Sequence, residues 1–251
     1  MSTHQPLSGA VALVTGASAG IGRATATALA RRGADVAVLA RREDRLDALA
    51  TDLEDDFGVE TLVLPADVSD EDAVAAAIEA AVEAFGRLDV AVSNAGVTRG
   101  DTQSIDEFET ADYRTVAGVN IDGTFFLTRE AFPHLVETGG NLIYVGSFDG
   151  HYPRPNNPVY AASKWWVRGF ARSVAGPAGE RGVGVTVVNP AKVRTEIEAG
   201  GEPFEDRFDP GEVLEPEDVA DAIAFAATQP PHATVNELDI YTRDKYSREG
   251  F

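Results

Sequence analysis

Short apolar runs alternate with amphipathic stretches along the chain. Ala10 to Thr15 (AVALVT), Asp35 to Ala40 (DVAVLA), Thr61 to Leu64, Leu88 to Ser93, Asn141 to Val145, Val183 to Val188 (VGVTVV) and Asn236 to Tyr241 (NELDIY) read as strands. Several are nearly continuous Val, Leu and Ala, the signature of strands buried on both faces. Between them the spacing turns helical. A helix follows the glycine cluster Gly16 to Gly22, runs through Arg32 and stops at Gly33. Glu43 to Phe57 carries leucines at 46, 49 and 53, and Ser69 to Phe85 opens on Ser-Asp-Glu-Asp, a cap followed by an acidic first turn. Further helices are predicted from about Gly118 to Glu137, over Val159 to Ala175, and over Glu217 to Thr228, opened by Pro216. This alternation predicts a doubly wound parallel sheet with helices on both faces, forming a single α/β domain over residues 1–251.

One segment breaks the rhythm. Glu196 to Gly211 combines glycines, prolines and acids with Phe204 and Phe208. A long irregular stretch inside a compact domain is usually functional or mobile, and the two phenylalanines favour a substrate lid at about 196–211.

Charge changes the picture more than overall composition does. Forty-one Asp and Glu oppose 21 Lys and Arg, for a formal charge of −20. Such a chain repels nucleic acid and anionic membrane, so neither is expected as a partner. The three lysines are Lys164, Lys192 and Lys245, so nearly all basic charge is arginine. The imbalance reads as adaptation to a high-salt cytoplasm, where concentrated ions screen self-repulsion. No cysteine is present, which excludes disulfides and thiolate metal sites. No stretch approaches the roughly 20 apolar residues of a membrane span. Met1 to Gly9 is polar and unlike a secretory signal, so a cytoplasmic location is expected. The histidines at 4, 134, 151 and 232 form no spaced cluster, and no metal is expected.

Two motifs carry chemistry. Thr15-Gly16-Ala17-Ser18-Ala19-Gly20-Ile21-Gly22 joins the first strand to the first helix. Glycines permit a tight turn there and let backbone N–H groups reach a phosphate, which the positive end of the helix then faces. With a second strand following at the right distance, this predicts a Rossmann-type nucleotide site. That second strand ends Leu39-Ala40-Arg41-Arg42. The acid that usually holds the ribose hydroxyls of NAD is missing, and two guanidiniums suited to a 2′-phosphate stand in its place. NADP is therefore the expected cofactor. Further along, Tyr160-Ala161-Ala162-Ser163-Lys164 sets a phenol and an ammonium four residues apart, on one face of a helix. A nearby positive charge stabilises phenolate, so the pair can give a proton to a carbonyl oxygen or take one from an alcohol. Ser147, at a predicted strand end, can bond the same oxygen.

These pieces occur in the order found in the short-chain dehydrogenase/reductase family, which the sequence resembles over almost its whole length. The matching residues are Thr15-Gly16-x3-Gly20-Ile21-Gly22, Asp67-Val68, Asn94-Ala95-Gly96, Asn120, Ser147, Tyr160-x3-Lys164, and Asn189-Pro190 leading to Val193 and Thr195. The resemblance implies that Tyr160 is the acid/base and that Ser147 orients the substrate oxygen. It implies that Lys164 lowers the tyrosine pKa and binds the nicotinamide ribose, and that Asn120 supports a proton-relaying water. Cofactor contacts are implied for Gly16, Ser18, Ala19, Gly20, Ile21, Gly22, Arg41, Arg42, Asp67, Val68, Asn94, Ala95, Gly96, Tyr160, Lys164, Pro190, Val193 and Thr195. In that assignment Asp67 and Val68 touch adenine, Asn94 walls the adenosine ribose, and Val193 and Thr195 hold the carboxamide. A homotetramer is implied, packed through the helices around 118–137 and 159–175, with Trp165 and Trp166 available to the interface or, equally, one of them to the core. Three departures stand out. Ala191 follows Pro190 where glycine is common, Ala19 sits where NADP users often carry a basic residue, and Gly146 precedes Ser147 in place of a second serine.

The segments from Pro216 and from Gln229 to Leu238 look like the subgroup that oxidises small 3-hydroxy acids such as serine or 3-hydroxypropionate. The substrate pocket is expected to be formed by Val97 to Arg99, Phe148 to Arg154, Ala191, Phe204 and Phe208, with Arg99 or Arg154 available to a carboxylate. A sugar or polyol dehydrogenase and a 3-oxoacyl thioester reductase share the same catalytic set, and a non-catalytic NADP-binding sensor is the reading from another class.

Overall fold

A computed structural model of the protein describes residues 5–100, 104–199 and 202–244. Strands β1 (Val11–Thr15), β2 (Asp35–Ala40), β3 (Thr61–Pro65), β4 (Val90–Ser93), β5 (Asn141–Val145), β6 (Gly184–Pro190) and β9 (Glu237–Ile240) form one sheet, ordered β3-β2-β1-β4-β5-β6-β9. All its pairings are parallel.

The continuous apolar character of β1 has a direct structural counterpart. Its residues alternate between two cores: Ala12 and Val14 join one layer, Val11 and Leu13 the other. Helices α1 (Gly20–Ala30), α2 (Glu43–Phe57) and α8 (Pro216–Ala227) cover the first face through residues such as Ala26, Leu29, Leu49 and Ile223. Helices α3 (Glu71–Phe85), α5 (Gly123–Thr138) and α6 (Pro158–Glu180) cover the second through Ile78, Leu127, Leu135 and Ala171.

The chain winds outward through β2 and β3 on one side of β1 and through β5 and β6 on the other side of β4. The order therefore reverses between β1 and β4, and the crevice at their carboxyl ends is where ligands bind in such sheets.

Several boundaries depart from the expected ones. Helix α3 starts at Glu71, because Asp70 and not Ser69 is the cap: its carboxylate accepts the Ala73 N–H at 3.1 Å. A helix α4 (Thr110–Ala117) had no predicted counterpart. It runs through a π-helical turn at Gly118–Asp122 into α5, so the helix expected to begin near Gly118 continues an earlier one. Helix α6 passes beyond Ala175 and over Pro177 to Glu180, since Ala178 still has core to fill. The segment read as irregular contains a two-residue hairpin, β7 (Glu198–Ala199) with β8 (Glu202–Pro203), followed by a single turn, α7 (Phe204–Arg207). No helix among the described residues is long and apolar enough to cross a membrane.

Candidate active site

The turn from β1 into α1 is built by contact as much as by torsion. Gly16 and Gly20 have φ of 69° and 51°, which other residues rarely adopt. A Cβ on Gly22 would stand 2.2 Å from the carbonyl oxygen of Gly16. Asn94, after β4, locks this turn: its Nδ2 donates to the Thr15 carbonyl at 2.8 Å, while the Thr15 hydroxyl accepts the Asn94 and Ala95 N–H groups at 3.0 and 3.1 Å. Ala19 provides no side-chain cap to α1, so the first N–H groups of that helix remain available. A compact glycine cradle leading to an uncapped helix start fits a dinucleotide's phosphates.

The cleft beside it encloses about 500 Å³ and is lined by Gly16, Ser18, Ala19, Gly20, Ile21 and Gly22 of the turn. Arg41, Arg42, Asp67, Val68, Asn94, Ala95, Gly96, Ser147, Tyr160, Lys164, Pro190, Val193 and Thr195 line it too. Arg42 donates to the Ser18 hydroxyl at 2.9 and 3.1 Å and to Glu196 at 2.7 Å. Arg45, one turn along α2, bonds the other oxygen of Glu196. Arg41 is largely exposed, 3.8 Å from Asp67. Burial pushes the Asp67 carboxyl up, but the Ser69 N–H and hydroxyl, helped by Arg41, outweigh it and hold the group below its ordinary value.

Arg45 and Glu196 were missed in the sequence. Arg45 looks like any surface residue of an amphipathic helix, and Glu196 lies 154 positions from Arg42, so no local signal pairs them. Asn189, matched only as part of its motif, is fully buried away from the cleft, and its amide donates to Glu237 and Asp239.

At the chemical end, Asn157 caps α6 and also donates to the Thr98 hydroxyl at 2.6 Å, tying the helix start to the loop after β4. Tyr160 and Lys164 then share a face, with the ammonium 5.8 Å from the ring centre. Lys164 is buried and donates to the Val145 carbonyl at 2.9 Å. Asn120, in the π-helical turn, is clamped by the Val97 backbone at 2.8 and 3.0 Å and by the Ser163 hydroxyl at 2.9 Å. Lys164 and Asn120 meet at Gly96, where a Cβ would come within 3.4 Å of the ammonium and 3.6 Å of the amide oxygen.

The electrostatics correct one implication of the resemblance. Burial pushes the Tyr160 phenol well above its ordinary value, and the negative charge of Asp149 adds to the rise. The groups pulling it back are the Ser147 hydroxyl and the Arg154 guanidinium; Lys164 is not among them. Burial in turn lowers Lys164 to about 8, and its ammonium is directed at the Val145 carbonyl.

A measurable consequence follows from the sign. Below about pH 8 the lysine is charged in both the folded and unfolded chain, and burying that charge costs stability. Between about 8 and the ordinary value of 10.5 the folded protein has released the proton and the unfolded chain still holds it. Unfolding free energy is therefore expected to gain a contribution of roughly 3 kcal/mol across that window. Lys164→Met should flatten the rise in denaturant titrations; parallel pH profiles for the two proteins would refute it.

On the substrate side the cleft is lined by Val97, Thr98, Arg99, Phe148, Asp149, Arg154, Ala191, Lys192, Ile197 and Phe204. Arg154 lies 3.2 Å from Asp149, and Arg99 donates to the Thr98 carbonyl at 2.8 Å. Phe208 packs edge-on against Phe204, and Tyr152 stacks on Phe148. His151, expected at the pocket rim, faces β9: its Nε2 is 3.2 Å from both Glu237 and Asp239. This is a group with three metal-ligand atoms that histidine spacing could not reveal. Arg168 already pairs with Glu237 at 2.5 Å, so its charge is offset internally.

The sequence profile of the short chain dehydrogenases matches residues 10–205. The chain belongs to that family. It is 36% identical to sulfoacetaldehyde reductase 2 of Chromohalobacter salexigens over 245 residues, covering 94% of this chain and 96% of that one. An alcohol dehydrogenase of the archaeon Thermococcus sibiricus, solved with 5-hydroxy-NADP, superposes with a TM-score of 0.86 at 30% identity, covering 96% of this chain and 99% of that chain. A 3-ketoacyl-(acyl-carrier-protein) reductase of Brucella melitensis, solved with NADH, gives 0.84 at 31%, covering 94% and 98%. As a short-chain dehydrogenase the protein is an oxidoreductase of CH–OH or carbonyl groups that uses a nicotinamide cofactor.

Proposed function

We propose that this short-chain dehydrogenase is an NADP(H)-dependent enzyme acting on a small carbonyl compound that bears an acidic group, or on the matching hydroxy acid. One observation carries the reading. In a chain of net charge −20, the cleft is lined by six cationic residues (Arg41, Arg42, Arg99, Arg154, Lys164 and Lys192) and only three acids (Asp67, Asp149 and Glu196). Cationic side chains gathered against the overall charge favour anions at both ends of the cleft. Arg42, beside Ser18 and the glycine turn, suits a 2′-phosphate. Arg154, beside Asp149 and near Tyr160, suits a carboxylate or sulfonate. The named substrate of the Chromohalobacter relative, an aldehyde with a sulfonate, has this character.

A bound nicotinamide gives or accepts the hydride. The chain's own residues handle the oxygen: Ser147 fixes it, and Tyr160 donates its proton on reduction and recovers it on oxidation. A phenol kept protonated by burial is suited to the reductive direction. Lys164 and Asn120 hold the floor behind Tyr160, and Glu196, Ile197 and Phe204, from the segment expected to act as a lid at about 196–211, line the cleft.

The test has two parts. Arg42→Ala is expected to raise the Kd of NADPH about 10- to 100-fold and that of NADH by much less, as loss of a charge-assisted contact implies. Absorbance at 340 nm with 3-oxo acids, sulfonated aldehydes and neutral carbonyls of equal length should favour the acidic compounds, a preference that Arg154→Ala removes. Equal turnover of neutral and acidic carbonyls would reject the substrate class.

A cytoplasmic homotetramer in concentrated salt completes the proposal. Tyr113, Phe125 and Trp165 are exposed on α4, α5 and α6, the surface expected to meet a second copy. Trp166 is half-buried against the second core and stacks on Phe170 at 4.6 Å. Thermal midpoints are expected to climb between roughly 0.1 and 2 M KCl as the acidic surface is screened. A midpoint independent of salt would exclude the adaptation.

A further inference from the structure

The strap that follows β6 does more than cover the cleft. Three residues beyond Val193, the Glu196 carboxylate reaches across to the β2 side and bonds Arg42 through one oxygen, at 2.7 Å, and Arg45 through the other. Arg42 also gives two N–H groups to the Ser18 hydroxyl of the glycine turn. The guanidinium suited to a 2′-phosphate is thus held by an anion of the chain itself, through a single charge-assisted hydrogen bond. Glu196 is partly exposed and lines the same cleft, so its oxygen can be exchanged without unpacking the core. Arg45 lies outside the cleft lining and remains available to hold the displaced carboxylate.

We infer that Glu196 is a cofactor-specificity residue that acts as an internal competitor of the 2′-phosphate. NADP(H) must exchange the carboxylate for its phosphate at Arg42, whereas NAD(H) binds with the Glu196 contact intact. Glu196 consequently lowers the preference for NADP(H) below what Ser18 and Arg42 alone would set, and it couples 2′-phosphate binding to release of the strap from Arg42. This inference rests on the reading that Arg42 receives the 2′-phosphate.

The experiment compares wild type, Glu196→Gln, Glu196→Asp and Arg42→Ala at one fixed salt concentration. Kd values are measured for NADPH and NADH by fluorescence and for adenosine 2′,5′-bisphosphate by calorimetry, with no turnover required. Glu196→Gln keeps the side chain's size and removes its charge. It is expected to tighten NADPH and the bisphosphate about tenfold, which is about 1.4 kcal/mol, and to leave NADH within about twofold. Glu196→Asp should fall between it and wild type. If NADPH and NADH shift together, or if NADPH binds more weakly, Glu196 is a buttress for Arg42 or the strap and the inference is overturned. Arg42→Ala separates the two failures. An unchanged NADPH-to-NADH ratio in that variant defeats the assignment of Arg42, whereas a changed ratio with no effect of Glu196→Gln defeats the competitor alone.

Discussion

Tyr160→Phe is expected to lower kcat/KM by about 10³-fold or more while leaving NADPH affinity and thermal stability close to wild type. The substitution deletes one oxygen and keeps the ring. General acid catalysis by a positioned group is worth about 10²- to 10⁴-fold, and the upper part of that range applies where no other acid can take over. Lys164 is committed to the Val145 carbonyl, and the Ser147 hydroxyl accepts the Asp149 N–H at 3.1 Å. Phenylalanine keeps the packing of the half-buried ring and forfeits only the phenol's hydrogen bond with Ser147. Ser147→Ala removes an orienting hydroxyl and leaves the acid in place, so a loss of roughly 10²-fold is expected. Single-turnover oxidation of bound NADPH at 340 nm separates chemistry from binding. Tenfold or smaller damage in Tyr160→Phe would mean that another group delivers the proton.

The second large effect is structural. Gly22→Ala is expected to destabilise the protein by roughly 3 kcal/mol and to weaken NADPH binding more than a hundredfold. The new methyl would lie 2.2 Å from the Gly16 carbonyl oxygen and 2.5 Å from Asn94 Nδ2. One neighbour is backbone, and the other is the amide that fastens β4 to the turn through the Thr15 carbonyl. Neither can yield without opening the cradle, so the clash reaches both the fold and the phosphate site. A chain of this length loses about 2–4 °C of midpoint per kcal/mol, giving an expected fall of roughly 6–12 °C in differential scanning calorimetry. Gly169→Ala is the control: it lies within α6 with nothing within 4 Å of the added methyl, and helix propensity favours alanine by up to about 1 kcal/mol. Comparable losses at the two positions would show that the contact at Gly22 is not what excludes a side chain.

Most of the site was legible in the sequence because its parts are local. The glycine turn, Ser147 after β5, and the pair Tyr160 and Lys164 each depend on spacing within one element or one connection, and the structure brings them to one cleft. What escaped was long-range. The π-helical turn that presents Asn120 has no sequence signature, and no element was predicted over the helix before it. His151 seemed a rim residue because its partners, Glu237 and Asp239, arrive from the far end of the chain. The tyrosine pKa was misjudged for the same reason. Helical spacing does place Lys164 near Tyr160, but it says nothing of burial or of the Val145 carbonyl that engages the ammonium.

The sequence alone determined the parallel sheet and its two-faced burial, since hydrophobic period is a property of neighbouring residues, and the ordered family motifs marked Tyr160 as the candidate proton donor. The tertiary structure decided the rest: which charges oppose one another across the cleft, and how burial tunes them. Glu196 meets Arg42 only because a strap leaving β6 crosses above a helix that follows β2. Electrostatic energy depends on distance in space and on exclusion of water, and neither is written in the order of the residues.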